Sequence, residues 1–370
     1  RLRTVTGVQT CALPISMPNT AKTIVKIAVT LAFFWVLLSF VRANELLGVF
    51  VRVDWLWFAI SFAVTLAMMA IGCAKWKTVL DLKEQRLSSF ELMKIYAIGV
   101  FFSNILPSTF GGDVVRAYYV GKLIDNQPYA AVSVFVERFS GAVFLLFLVA
   151  VAPLLQPSLF LSPYLYVPAV VGLLAGLTIV WMFFSDKPLL LAAAISRLLF
   201  QEAGGLSRRR GFTFLAGPLR FLETLYGKVV GTLGRIKEEM RVAATAIRSD
   251  GGFVARLLGL TLLFYVFSWL NVYSAFKAFG VEVNLLAIGA LVPAIMIVAQ
   301  VPVTLLGNLG YFESVFVFYF LLVGVAGAET LAMGLLLRLK LLCVGGIGFV
   351  VYMFYKRRYR LAPGQGENAA

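Results

Sequence analysis

The sequence predicts an all-α, polytopic integral membrane protein with about six full spans and two broken, re-entrant helical hairpins in an inverted-repeat arrangement. Three observations carry this. Of 370 residues, 61% are hydrophobic and only 14% are charged, too few polar side chains to clothe a water-soluble surface. Apolar runs of roughly 20 residues, the length that crosses a hydrocarbon core of about 30 Å, recur between clusters of Lys and Arg. Two further apolar segments are interrupted by Pro and Gly.

Residues 1–16 are set aside: Val5 to Ile15 reads VTGVQTCALPI, which matches the in-frame translation of a common sequencing adapter. Met17 is then the expected start of a single membrane domain over 17–370. The expected spans are Ile24 to Val41, Trp55 to Ala74, Ala130 to Ala152, Tyr164 to Phe184, Phe253 to Phe279 and Glu329 to Tyr355.

Basic loops stay on the cytoplasmic side, so loop charge sets the orientation. Lys75, Lys77, Lys83, Arg86 and Lys94 mark the stretch after the second span as cytoplasmic, and eleven Lys or Arg do the same for 186–250. The tail at 356–370 carries Lys356, Arg357, Arg358 and Arg360. Both termini are therefore expected in the cytoplasm of a bacterial or archaeal cell, beneath its inner membrane. With those loops inside, Phe90 to Tyr129 must enter and leave from the inside, and Leu285 to Val325 from the outside. Within 186–250, Leu215, Leu219, Leu222, Tyr226, Val229, Leu233, Ile236 and Met240 form a heptad stripe. Such a helix lies on lipid head groups or packs on the cytoplasmic face of the membrane domain.

The net charge of +15 belongs to these loops and gives no reason to expect nucleic acid. Histidine is absent, which excludes His-based acid/base catalysis and His-ligated metal. Cys11, Cys73 and Cys343 make neither a disulfide framework nor a zinc site. No catalytic residue, metal or cofactor is expected. Gly121-Lys122 and Gly227-Lys228 lack the flanks of an ATP-binding loop.

The first break spans Asn104 to Asp113, with Pro107, Gly111 and Gly112; the second spans Val301 to Gly310, with Pro302, Gly307, Asn308 and Gly310. In each, a Pro that removes a backbone donor precedes a Gly after which a new helix can start. Irregular backbone at membrane depth survives only where protein or a wet cavity covers it. Ionisable residues at that depth cost at least about 2.5 kcal/mol, so each is a functional candidate. They are Asp113, Glu137 and Glu313 against Arg116, Arg138, Arg338 and Lys340. Asp113 is expected to hold Arg116, Glu313 is an attractive partner for Arg138, and the surplus of cations calls for an anion. A lipid phosphate would supply it.

Asn104-Ile-Leu-Pro-Ser-Thr-Phe-Gly-Gly-Asp113 with Arg116, Ala131-Val-Ser-Val-Phe-Val-Glu-Arg138 with Gly141, Val301 to Gly310 with Glu313, and Leu337-Arg338 together resemble the transmembrane region of lysylphosphatidylglycerol synthases. This is the flippase-like family that includes dolichol-phosphate-glucose synthetase-like membrane proteins. The resemblance implies an inner-membrane protein that moves phospholipid or polyprenyl-linked lipid between leaflets. Fifteen residues follow Tyr355, so an aminoacyl transferase domain is not expected. The second break reads Leu305-Leu-Gly-Asn-Leu-Gly310 where a more glycine-rich turn would fit the family.

The expected function is thus translocation of an anionic phospholipid or polyprenyl-linked lipid, its phosphate bound by Arg116, Arg138, Arg338 and Lys340. Asp113, Glu137 and Glu313 would support these residues or relay protons. The alternatives are a membrane glycosyltransferase using a polyprenyl-phosphate donor, or a lipid-binding accessory subunit of a lipid synthase that moves nothing.

Overall fold

A computed structural model describes residues 53–83, 87–106, 111–156, 162–185, 234–242, 244–245, 250–301, 303 and 308–360. The expected span Ile24 to Val41, the first sixteen residues, Pro107, Pro302, Gly307 and most of the 186–250 loop lie outside them.

The described chain is helical: α1 (Trp55–Leu80), α2 (Ser89–Ile105), α3 (Gly111–Leu123), α4 (Gln127–Leu155), α5 (Pro163–Phe184), α6 (Gly251–Lys277), α7 (Leu285–Ala299), α8 (Tyr311–Leu321) and α9 (Gly327–Arg360). Several helices begin on a side chain that accepts otherwise orphaned backbone N–H groups. Asp54 caps α1 through Leu56 N at 2.8 Å, Asn126 caps α4 through Tyr129 N at 3.0 Å, Asp250 caps α6 through Phe253 N at 3.0 Å, and Asn284 caps α7 through Leu286 N at 2.9 Å.

Among the described residues four helices are long and apolar enough to cross a membrane: Trp55–Lys83, Gln127–Val151, Gly251–Lys277 and Gly327–Tyr355. Shorter apolar helices run over Pro163–Thr178, Leu285–Ala299 and Tyr311–Leu321. Val167, Val170, Val171 and Leu174 of α5 are exposed, as a lipid-facing surface would be.

The two interrupted segments are each a pair of short helices. At 1.5 Å per residue α2 reaches about 25 Å and α8 about 16 Å, short of a full crossing. Their packing is reciprocal. In the first half α3 packs on its own half's α4 while α2 packs on α9; in the second half α8 packs on α9 while α7 packs on α4. Helices α1 and α6 pair with each other. Every contact of the first hairpin thus has its counterpart in the second, as an inverted repeat requires. Phe276, Ile288, Phe320 and Met333 build the core of the second half, and Trp76, Ile95, Tyr129 and Tyr355 that of the first.

At this end of the bundle one expectation is corrected and one open alternative is decided. Helix α1 continues to Leu80, so Lys75 is no loop residue but a buried side chain inside the bundle. Of the heptad stripe, Ile236 and Met240 fall among the described residues, and they pack on Val79, Val132 and Phe253. This end of the loop therefore docks on the membrane domain, reinforced by an ion pair between Lys83 and Glu239.

Candidate functional site: an ion-pair cluster beside the first break

Helix α3 opens with Gly111-Gly112, and the reason is steric. A Cβ on Gly112 would overlap the Gly99 carbonyl and the Ser103 hydroxyl of α2, and a Cβ on Gly99 would lie 2.6 Å from Arg116 Cγ. The two glycines let the arms of the first hairpin touch backbone to backbone and leave a slot for the Arg116 side chain.

That side chain is the centre of the cluster. Arg116 is 2% exposed. Its Nη2 donates to Asp113 Oδ1 at 2.6 Å and to Glu137 Oε2 at 3.2 Å. Its guanidinium carbon lies 4.6 Å from the ring centre of Tyr96 and 4.9 Å from that of Trp76, two cation–π contacts that suit a planar, weakly hydrated cation. Trp76 is fixed by its own indole N–H, which donates to Ser133 Oγ at 3.0 Å. Among the described residues, Arg116 Nη1 is buried without a hydrogen-bond partner. An unmet guanidinium donor at this depth is costly and calls for an acceptor.

Arg138 approaches Asp113 from α4. It donates from Nε to Oδ2 at 3.0 Å and from Nη2 to Oδ1 at 2.9 Å, a two-pronged pairing. Unlike Arg116, its side chain is 53% exposed. The expected holding of Arg116 by Asp113 is present; Asp113 serves both arginines. The fifth member, Lys75 of α1, was legible only as a loop charge, and its Nζ lies 3.9 Å from Glu137 Oε1.

Tyr96, Gly99, Ser103, Asn104, Asp113, Arg116, Arg138 and Leu341 border a cavity of about 230 Å³. It sits where α2 and α3 meet α4 and α9, and both of its guanidiniums belong to the cluster. Asn104, at the end of α2, closes the seam to α9 by donating to the Leu341 carbonyl at 3.0 Å.

The remaining predicted residues lie elsewhere. Glu313 does not pair with Arg138: its Oε1 accepts from Arg338 Nε at 3.0 Å, and its Oε2 accepts from Gly310 N at 2.7 Å. Arg138 is already satisfied by Asp113 on the neighbouring helix, while α8 packs on α9 and so meets Arg338 instead. The expected interior set is therefore split. Asp113–Arg138 and Glu313–Arg338 are equivalent pairs of the two halves, each joining a residue near the start of the post-break helix to one 25 positions later on the next long helix. Lys340, 1% exposed, turns away from the cavity. Its Nζ donates to Ser61 O and Oγ of α1 and to Asn271 Oδ1 of α6. Thr65 shares Asn271 Oδ1 at 3.1 Å.

The second break owes its shape to Asn308. With φ at 64°, it takes a left-handed conformation that Asn tolerates better than other non-glycine residues. Its Nδ2 donates to Ala299 O at 3.0 Å and Val301 O at 2.7 Å, and its Oδ1 accepts from Val303 N at 3.0 Å. Gly310, with φ at 81°, completes the turn. Asn308 thus stands where a more glycine-rich turn was expected, and supplies hydrogen bonds that a glycine could not.

Comparison with known proteins agrees with this architecture. The model of the lysylphosphatidylglycerol synthase transmembrane region matches residues 23–347. A UPF0104 membrane protein of Methanocaldococcus jannaschii is 25% identical over 129 residues, 34% of this chain and 38% of that relative. The chain thus matches less than half the length of that relative. No solved structure matches. The family match takes in both hairpins, the ion-pair cluster and the Glu313–Arg338 pair, and the chain belongs to the lysylphosphatidylglycerol synthase transmembrane-region family of multi-pass membrane proteins.

Proposed function

We propose that this protein translocates an anionic phospholipid or a polyprenyl-linked lipid between the leaflets of a bacterial or archaeal cytoplasmic membrane, holding the head-group phosphate in the cavity with Arg138 and Arg116. The N- and C-termini face the cytoplasm in this reading, on the charge of the loops. One observation carries it: Arg116 Nη1, buried and without a partner among the described residues, belongs to a side chain that borders the same cavity as the half-exposed Arg138. A phosphate oxygen is the acceptor such a donor lacks, and two guanidiniums offer the forked geometry that phosphate favours. Family membership supports a lipid-related role.

Arg338 and Lys340 do not take part in this site. Arg338 is committed to Glu313, and Lys340 to Ser61 and Asn271. Among the carboxylates, Asp113, Glu137 and Glu313 all lie against guanidiniums, so their first task is to position cations.

The test is lipid sidedness in proteoliposomes made with fluorescent phosphatidylglycerol. Wild-type protein should accelerate its exchange between leaflets, and Arg138→Ala should abolish the acceleration while the protein remains folded. Binding without acceleration would identify an accessory lipid-binding subunit, and equal rates for wild type and Arg138→Ala would overturn the assignment of the site.

A further inference from the structure

The two halves share one device, the neutral carboxylate–arginine pair, and the first half adds three charges to it. Three residues after Asp113 stands Arg116, whereas three residues after Glu313 stands Phe316; before Arg138 stands Glu137, whereas before Arg338 stands Leu337. The third addition is Lys75. Arg116 and Glu137 cancel, so Lys75 alone leaves the five-membered cluster with one positive charge.

The local structure makes room for that charge. Lys75 is 4% exposed, and Glu137 is its one ionic partner among the described residues. It reaches Glu137 past Gly141, where a Cβ would come within 3.2 Å of Nζ. Tyr265 holds this backbone by donating its hydroxyl to Gly141 O at 2.8 Å. At 3.9 Å from the carboxylate, Lys75 gives Glu137 a third cation beside Arg116 at 3.2 Å and Arg138 at 4.0 Å. It does not border the cavity, so it acts on a ligand through the field of the cluster rather than by contact.

We infer that Lys75 is the specificity-determining residue that sets the charge of the head group the cavity takes: with Lys75 the cluster is balanced by one net negative charge, and without it by a head group that brings its own cation. This rests on the phosphate-binding reading above. A lipid of net charge −1 neutralises the wild-type cluster. Once Lys75 is removed the cluster is neutral when empty, a bound phosphate leaves it negative, and a zwitterionic lipid restores the balance with its ammonium group.

The experiment is native mass spectrometry of the full-length protein in nanodiscs of equal parts phosphatidylglycerol and phosphatidylcholine. Wild type should retain phosphatidylglycerol over phosphatidylcholine, and Arg116→Ala should lose bound lipid. Lys75→Met should lower the preference for phosphatidylglycerol by about tenfold, Lys75→Arg should restore it, and Glu137→Gln should move it in the opposite direction from Lys75→Met. A structural role for Lys75 would not produce shifts of opposite sign in two variants that each break the same contact. If wild type holds lipid through Arg116 and the ratio is unchanged in Lys75→Met, the role given to Lys75 is wrong. If lipid is retained equally in wild type and Arg116→Ala, the cavity itself is misassigned.

Discussion

Arg338 donates from Nε to Glu313 Oε1 over 3.0 Å with both side chains buried, the glutamate to 1% exposure. The same carboxylate accepts from Gly310 N and so ties the turn of the second break to α9. Glu313→Ala therefore strips Arg338 of its carboxylate and frees the start of α8 at once. The expected cost is about 3–5 kcal/mol, the range for removing one partner of a buried ion pair. Unfolding in mixed micelles with increasing sodium dodecyl sulfate measures it.

Arg116 and Arg138 should separate when each is changed to alanine. Arg138 is half exposed, and Asp113 keeps Arg116 as a partner in its absence. Its removal should cost about 1 kcal/mol of stability, in line with partly solvated ion pairs, while abolishing lipid translocation. Arg116→Ala removes a fully buried cation shared by two acids and should cost about 3–5 kcal/mol as well as function. The same unfolding titration, run beside the proteoliposome assay, compares them.

Gly112→Ala is expected to be severe for one methyl group. The added carbon would run into the Gly99 carbonyl and the Ser103 hydroxyl, and a backbone oxygen cannot swing aside as a side-chain tip can. The arms of the first hairpin must move apart, at an expected cost of about 1–3 kcal/mol and with distortion of the Arg116 slot. Gly346→Ala, where nothing lies within 4 Å of the added carbon, should leave the unfolding midpoint within experimental error.

Lys340→Met should be nearly neutral. Among the described residues the ammonium is held by three neutral oxygens and no carboxylate, so the desolvation cost of the charge offsets much of what its hydrogen bonds contribute. Methionine has similar length, and Asn271 Oδ1 keeps the Thr65 hydroxyl as a donor. The expected change is within about 1 kcal/mol, measured by the same unfolding titration.

Asn308→Ala should destabilise the second break by about 2–4 kcal/mol, since it removes three hydrogen bonds and leaves a residue at positive φ without the side chain that held it there. Asn308→Gly should cost less, because glycine relieves the backbone while losing the same bonds. The difference between the two variants isolates the conformational part.

Both hairpins could be read from the sequence because Pro and Gly interrupt otherwise apolar runs, and buried charge stands out against such a background. Which charge meets which could not be read. Glu313 and Arg138 looked complementary on paper, but pairing follows helix contacts, and α8 packs on α9. Lys75 was hidden for a different reason: a lysine at the end of an apolar run looks like an interfacial anchor, and only the continuation of α1 to Leu80 places it inside. Ser61 and Asn271 gave no signal, since lone polar residues in apolar helices are common. Their importance comes from converging on Lys340.

The direct contact of Gly112 with Gly99 has a mechanical consequence. With no side chains between them, α2 and α3 have nothing to slide over, and they must travel as a single plate. Helix α9 belongs to the same plate, since a Cβ on Gly348 would overlap the Ala97 carbonyl oxygen, Phe101 stands beside Tyr352, and the Asn104 amide donates to the Leu341 carbonyl.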